Sequence, residues 1–269
     1  MPLLHLAHAT KAAGVTVVQV GEGSDEQFCG YSLYKKVLHL QEQFRFVRSL
    51  PGSLRSAGYG LLSPILKSLS MNYRQNYIKN FLAANGTFLG GGTAFDDAEK
   101  RKLLRSHAGD SAPMVDMAFQ SVPGDDYSTK MIYWEFKNRL PELLLMRVDK
   151  MTMATSVEAR VPFLDHKLVE FSMKIPWRLK IKNGETKYIL KKALEPILPQ
   201  SILHRKKKGF GVPIGTWFKD GELTINDTAP HQSLNCDFIR KKLSEHLGGR
   251  VDQRAFLWNV WLLEHWSKS

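Results

Sequence analysis

The stretch VTVVQVGEGSDE, residues 15–26, is the part of the chain from which its fold class is predicted. Val15–Val20 is rich in β-branched residues and predicts a strand, after which glycines at 21 and 23 predict a tight turn. Three acids, Glu22, Asp25 and Glu26, follow the strand at once. Because α/β proteins bind small ligands at the open end of a strand, this acidic turn is a candidate active site.

The same residues also have a purely structural interpretation. Ser24 and Gln27 have the spacing of a capping box, and acids at 25 and 26 suit the first turn of a helix. Spacing alone leaves the catalytic and the structural interpretation open.

Composition limits the class of protein. The chain has 269 residues, and 38 Lys and Arg against 26 Asp and Glu give a net charge of +12. Such a surface attracts nucleic acids, nucleotides and acidic metabolites alike.

The two cysteines support neither a disulfide framework nor a metal site. No apolar run approaches the roughly 20 residues of a membrane helix. The start does not resemble a signal peptide, so we predict a cytoplasmic protein.

Apolar periodicity predicts a mostly helical chain, in which Val15–Val20 is the one clear strand. The predicted helices span residues 28–40, 95–107, 128–147 with an interruption at Pro141, 166–174, 185–194 and 254–266. Cys29 falls in the first of them and is predicted to be a small core residue. The glycine-rich residues 85–93 predict a surface loop, because no Lys-Ser or Lys-Thr follows them.

Two more segments combine charge with an unusual context. Residues 147–165 place Arg147, Asp149, Glu158 and Arg160 among small and apolar residues, which indicates either an internal ion-pair network or a wall of a substrate site. Residues 204–213, HRKKKGFGVP, indicate either a solvated basic patch or a hinged loop that carries a lysine over an anion.

Taken together, these segments resemble the synthetase domain of the glutamine-dependent asparagine synthetases and their relatives. The motifs that carry the resemblance are GEGSDE-x-F-x-GY at 21–31, RVDKMTMATSVEARVPFLDH at 147–166, and ETKYILKKAL at 185–194 with RKKKGFGVP at 205–213. The resemblance covers most of residues 15–220. It is weak over 41–127, and after 221 it rests only on the closing tryptophan-bearing helix.

The resemblance implies an α/β fold, the parallel sheet with flanking helices of adenine-nucleotide α-hydrolases. Residues 1–269 would be the C-terminal portion of a single domain of this kind, mostly α with one or two residual strands. Within it, 15–31 would form the strand and acidic turn, 128–220 a helical core with the lysine loop, and 221–269 a C-terminal helical tail. We expect the edge of the sheet to be exposed.

The family's chemistry is likewise an implication of the resemblance. The family uses ATP with magnesium to adenylate the side-chain carboxylate of aspartate, and ammonia from a glutaminase domain or a partner chain then gives asparagine, AMP and pyrophosphate. The acceptor would be aspartate or a similar carboxylate, since relatives with these motifs also amidate other acids or close β-lactam rings.

By the same resemblance, Glu22 and Lys207 are the predicted catalytic residues. Glu22 would serve in forming and consuming the adenylate, and Lys207 would stabilise negative charge on the phosphate and on the tetrahedral intermediate. Arg147 and Glu158 are weaker candidates for the wall that faces aspartate. We expect the Glu22 carboxylate to project from the end of a buried strand into a hollow that Lys207 can reach.

The resemblance also assigns four residues to the cofactor. Val20 and Gly21 would lie against the nucleotide, Gly21 through its backbone. Asp25 and Glu26 would orient magnesium, the substrate amine or other side chains that contact the ligand-binding residues. No residue is assigned as a metal ligand.

The chain departs from the family pattern in several places. It contains no Ser-Gly-Gly-x-Asp-Ser phosphate loop, and Pro2 rather than a cysteine follows Met1. Val20 stands where the family commonly has serine, and Cys29 where it has glycine. We therefore expect the C-terminal part of a synthetase, from a truncated or split gene, that binds ATP poorly by itself.

Two other functions remain open at this stage, a basic helical module that binds nucleic acid and an inactive remnant. The acidic turn and the lack of a recognised nucleic-acid motif speak against the first of them.

Overall fold

The computed structural model describes residues 2–43, 51, 53–54, 94, 96–106, 109–124, 126–205, 211–225 and 233–266. The chain divides into two compact units. The first is Met1–Gly91 with Ala112–Phe210, and the second is Gly92–Ser111 with Gly211–Ser269. The single-domain organisation expected from the sequence stays a prediction.

The elements of the described residues are mostly short helices. In chain order they are α1 (Pro2–Ala12), β1 (Val17–Gln19), α2 (Ser24–Gln27), α3 (Ser32–Gln43), α4 (Asp97–Leu103), α5 (Ala112–Gln120), α6 (Tyr127–Lys137), a π-helix (Leu140–Leu145), α7 (Met146–Met153), β2 (Glu158–Arg160), a 3₁₀ turn (Pro162–Leu164), α8 (His166–Lys174), α9 (Trp177–Lys180), β3 (Ile181–Lys182), β4 (Glu185–Thr186), α10 (Tyr188–Leu194), α11 (Gln200–Leu203), α12 (Ile214–Lys219), α13 (Cys236–Leu247) and α14 (Arg254–Trp266).

A small parallel sheet positions the acidic turn. β1 pairs with β2, with Val17 opposite Glu158 and Gln19 opposite Arg160. The pairing continues one residue further, because the Val20 N–H donates to the Arg160 carbonyl at 2.9 Å. The predicted fold class, mostly α with a residual parallel sheet, is confirmed.

The predicted burial of the first strand is wrong. β1 is shorter than Val15–Val20, and its side chains are exposed or half-buried, with Val17 46% exposed. β2 is the only strand that pairs with β1 in the described part of the chain. The exposed sheet edge expected from the sequence stays a prediction.

Two predicted helices, 166–174 and 254–266, match α8 and α14. The predicted helix 28–40 begins later, at Ser32, because Cys29 adopts a left-handed conformation with φ 55°. Cys29 is nevertheless fully buried, which confirms it as a core residue. The helix predicted over 95–107 is confined to Asp97–Leu103.

Local backbone features determine where two other predicted helices begin and end. The helix predicted over 185–194 begins only at Tyr188, since Glu185 and Thr186 pair with β3 and Lys187 is left-handed with φ 55°. The interruption predicted at Pro141 within 128–147 is confirmed: α6 ends at Lys137, and a π-helix that contains Pro141 follows over Leu140–Leu145.

Each unit has a core of its own. In the first unit the buried cluster is formed by Cys29, Tyr34, Val37, Leu38, Val115, Met131, Ile132, Trp134 and Ile181. In the second unit it is formed by Leu103, Phe218, Ile225, Leu234, Ile239, Phe256, Leu257 and Val260.

Several sequence predictions fall outside the described residues. They include the glycine-rich loop 85–93, most of 41–95, and Lys207 within the basic run. Among the described helices, none has the length and apolar character needed to cross a membrane.

Candidate active site at the acidic turn

The acidic turn lies at the carboxyl end of the β1–β2 pair. Gly23 is left-handed with φ 89°, and a Cβ added to it would lie 2.4 Å from the Leu164 side chain. At Gly21, by contrast, an added Cβ would meet no atom of the described residues within 4 Å. With respect to these residues the turn is packed at Gly23 and open on the side of Gly21.

Glu22 lies between these two glycines. Its side chain is half-buried, and it makes no hydrogen bond or ion pair with any residue that the structure describes. Small ligands of α/β proteins bind at the carboxyl ends of parallel strands, where Glu22 lies. Its predicted approach to Lys207 stays a prediction, because Lys207 is not among the described residues.

The capping box predicted for the start of α2 is not formed. The N-cap residue is Gly23, which provides no side-chain cap, and the Ser24 hydroxyl instead donates to the Gly21 carbonyl at 2.9 Å. The Gln27 amide donates to the Phe163 carbonyl in the 3₁₀ turn. Asp25 and Glu26 do lie in the first turn of α2, so the structural interpretation is wrong in its capping box but confirmed in the placement of these two acids.

Asp25 is paired with a lysine that the sequence analysis did not single out. Lys187 Nζ lies 2.9 Å from Asp25 Oδ1 and donates to Ser24 Oγ at 2.8 Å. Gly30 makes room for this contact, because a Cβ there would lie 1.8 Å from Asp25 Oδ1. Lys187 thus places a positive charge on the acidic turn.

The position of Lys187 depends on the backbone around it. Its N–H donates to the Phe28 carbonyl at 3.2 Å, which attaches the start of α10 to the turn after α2. The segment Asn183-Gly184 directs the chain back, with both residues at positive φ (51° and 78°). An Asn-Gly pair is a strong hairpin signal, and it could have revealed β3 and β4 from the sequence.

Glu26 lies in the interior, 1% exposed. Its Oε1 accepts a hydrogen bond from the Tyr31 hydroxyl at 2.7 Å and lies 3.8 Å from an Arg139 nitrogen. Burial raises the pKa of the Glu26 carboxyl above its ordinary value of 4.5, and the Tyr31 hydrogen bond opposes this rise. This burial favours an orienting role for Glu26 over direct contact with magnesium or substrate.

The raised pKa of Glu26 predicts a pH-dependent effect of Glu26→Gln. Stability that depends on the protonated carboxyl is fully present below pH 4.5 and is lost as the pH rises through the raised pKa. Glutamine cannot lose a proton, so the variant gains stability relative to the parent as the pH rises, by about 1.4 kcal/mol for every pH unit between the two pKa values.

Unfolding by urea at a series of pH values between 4 and 8 measures this gain. Glu142→Gln, at an exposed carboxylate of the π-helix, is the control and should show no such trend. A stability difference that is constant with pH, or that falls as the pH rises, would contradict the prediction.

Arg139 links the Glu26 carboxylate to a second buried carboxylate, that of Glu135. An Arg139 nitrogen is 3.1 Å from Glu135 Oε2, which also accepts the Tyr34 hydroxyl at 2.8 Å. The guanidinium carbon lies 4.4 Å from the centre of the Tyr31 ring. Burial and the adjacent carboxylates raise the pKa of both tyrosines above their ordinary value.

The charged residues of 147–165 lie at the surface. Arg147, Asp149, Glu158 and Arg160 are all exposed, and Glu158 pairs with Arg160 at 3.0 Å. The internal ion-pair network is therefore the wrong interpretation of this segment. Arg160 lies at the end of β2 nearer the acidic turn, and Glu158 at the other end. The roles of Arg147 and Glu158 in an aspartate-facing wall stay predictions.

The described elements, mostly helices with one small parallel strand pair that leads into the acidic turn, define an α/β protein. The chain belongs to the asparagine synthase family, whose model matches residues 1–268.

Three relatives illustrate the similarity. The chain is 31% identical over 276 residues to glutamine-hydrolysing asparagine synthetase 1 of Bacillus subtilis, covering 99% of this chain and 42% of that protein. It is 31% identical over 278 residues to a putative glutamine-hydrolysing asparagine synthetase of Mycobacterium tuberculosis, covering 99% and 41%. To amidase chyE of Penicillium rubens it is 26% identical over 242 residues, covering 81% and 35%.

The chain thus spans about two fifths of the length of the first two relatives. No solved structure gives a significant match. The predicted family is confirmed.

Proposed function

We propose that the chain forms the synthetase part of an ATP-dependent amide ligase, which converts the side-chain carboxylate of aspartate, or of a similar acid, into an amide. Family membership and the names of the relatives support this type of reaction. The observation that carries the proposal is Glu22, a half-buried carboxylate without a partner among the described residues, between two glycines at the end of the parallel pair.

The proposed reaction has two steps. First, a substrate carboxylate oxygen attacks the α-phosphorus of ATP, the bond from that phosphorus to the bridging oxygen breaks, and pyrophosphate leaves. Ammonia then attacks the acyl carbon, the bond from carbon to the adenylate oxygen breaks, and AMP leaves. The nitrogen loses one proton in this step, and we assign Glu22 as the base that accepts it.

The nucleotide is proposed to bind on the open side of the turn. The space beside Gly21 allows a ligand to approach the backbone, and Val20 precedes it on the strand. Carboxylate activation develops negative charge that cations stabilise. Lys187, which pairs with Asp25 in the turn, and Lys207 are proposed to supply two of these cations.

Magnesium would bind with the ATP phosphates. The described residues contain no group of three or more His, Cys, Asp or Glu that could hold a metal ion. Mg²⁺ in such sites is held by one or two carboxylates together with phosphate oxygens. Asp25 fits that arrangement, because it is the acid of the turn that is partly exposed and has no role in the proton transfer assigned to Glu22. Magnesium would offset the charge of the phosphates.

The ammonia is proposed to come from a glutaminase domain or a partner chain. The bacterial relatives are described as glutamine-hydrolysing, and they are more than twice as long as this chain. We further propose that residues outside this chain hold the triphosphate, and that the enzyme acts in the cytoplasm.

Product analysis tests the proposed function. The protein that carries this chain is incubated with ATP, magnesium, ammonium and either aspartate, glutamate or no acid. We expect pyrophosphate, AMP and an amide in equal amounts, with aspartate the best acceptor. Release of ADP and phosphate, or no nucleotide turnover with any acid, would contradict the proposal.

A further inference from the structure

Five side chains form a buried charge network behind the acidic turn. They are Glu26, Tyr31, Tyr34, Glu135 and Arg139, and we call them the Arg139 network. Glu26, Tyr34 and Glu135 are at most 1% exposed, and the Arg139 side chain is 18% exposed. Neither the resemblance to the family nor the proposed chemistry uses Glu135, Tyr34 or Arg139.

The network holds more negative than positive charge when it is fully ionised. One guanidinium serves two carboxylates, Glu135 at 3.1 Å and Glu26 at 3.8 Å, and its Nε has no hydrogen-bond partner among the described residues. Burying charge in this way contributes little to stability, and an apolar cluster of the same size would serve the core as well or better. Its best-attested benefit is that it fixes one arrangement of the parts it joins.

The parts joined here are α2 and α6. Glu26 belongs to α2 and Glu135 to α6, so Arg139 lies between acids from two elements that pack together. Arg139 directly precedes the π-helix that contains Pro141, and π-helices are frequent at functional sites. The ring of Tyr31 supports the guanidinium from one face.

α2 depends on such side-chain contacts for its orientation. It is a single turn of four residues, and its N-cap residue offers no side-chain hydrogen bond. A helix this short has no stability of its own. Glu22 lies four residues before Glu26 and is joined to α2 through the left-handed Gly23, so the buried Glu26 anchors the helix from which the Glu22 turn extends.

We propose that Arg139 is the positioning residue of the acidic turn, which acts through Glu26 to aim the Glu22 carboxylate at the attacking ammonia. This inference rests on the proposed function. It predicts a defect in the amidation step, where Glu22 accepts a proton, rather than in formation of the adenylate.

The ratio of pyrophosphate to amide distinguishes positioning from mere support of the fold. Arg139→Met should raise this ratio at least threefold, because the adenylate is still formed but is lost to water when the base is misaligned. A variant that only reduces the amount of folded enzyme lowers both products together and leaves the ratio near one. A parent enzyme that releases neither product overturns the proposed function, whereas a normal parent with an unchanged ratio in Arg139→Met overturns the positioning role alone.

Two further variants and a control complete the test. Tyr31→Phe keeps the ring beneath Arg139 but removes the hydrogen bond to Glu26, so the ratio should rise here too, though by less. Arg139→Lys keeps the charge and should restore part of the amidation. Arg178→Met removes an exposed arginine that pairs with Glu42 at 2.6 Å, and it should leave the ratio at one. If Arg139→Met does not fold, an unchanged ratio in Tyr31→Phe overturns the proposal.

Discussion

Glu22→Gln is expected to lower the rate of amide formation by about 100- to 10,000-fold, the range typical of removing a general base. Glutamine keeps the size of the side chain but cannot accept a proton from the nitrogen that attacks the acyl carbon. Because Glu22 makes no ion pair or hydrogen bond with the residues that the structure describes, the substitution breaks no contact there. The folded state should therefore keep its stability, and the loss should be chemical.

Steady-state rates of asparagine formation, measured with ammonium over a range of ATP concentrations, check this expectation. The KM for ATP should change little, and kcat should carry the effect. Glu142→Gln, at an exposed acid in the same unit, is the matched control. An unchanged kcat, or a defect confined to the KM for ATP, would show that Glu22 is not the base.

The local part of this site could be predicted from the sequence. A β-branched run, two glycines and three acids within twelve residues predicted a strand, a turn and a ligand-facing carboxylate, and β1, the turn and the half-buried Glu22 are found there. The helices 166–174 and 254–266 were predictable for a similar reason, since both have a clear apolar face and end signals.

The non-local part could not be predicted in this way. Lys187 reaches Asp25 across about 160 residues of sequence, and its place depends on a left-handed residue that no propensity predicts. Arg139 joins acids on two elements, and nothing near it in the sequence indicates a partner at Glu26. β2 was missed because three residues, Glu158–Arg160, form a strand only through pairing with β1.

Glu26 is the clearest example of a site residue whose environment could not be predicted from the sequence. Its spacing in the turn made it equivalent to Asp25, and both were assigned to the cofactor. In the structure Asp25 is about one fifth exposed and Glu26 is buried, because successive side chains of a helical turn point in different directions. Sequence spacing thus identified the turn but not which of its acids are exposed, and the cofactor roles of both stay predictions.

Gly23→Ala is expected to destabilise the first unit by about 2–4 kcal/mol, which combines left-handed strain with overpacking. A Cβ at this position would lie 2.4 Å from the Leu164 side chain, and the backbone has φ 89°. The midpoint of unfolding by urea measures the loss. A change of less than 1 kcal/mol would show that the turn can be repacked without cost.

Gly21→Ala is the control for this experiment. Gly23 is expected to matter for the packing of the turn, whereas Gly21 is proposed to face the nucleotide. Its φ is not in the left-handed region, and an added Cβ meets no atom within 4 Å in the part of the chain that the structure describes, so the stability should change by less than about 0.5 kcal/mol. The same methyl group would occupy the space proposed for the nucleotide, so the KM for ATP should rise. An unchanged KM for ATP in Gly21→Ala would show that the nucleotide does not bind beside Gly21. It could not bind beside Gly23 instead, because the Leu164 side chain fills that space.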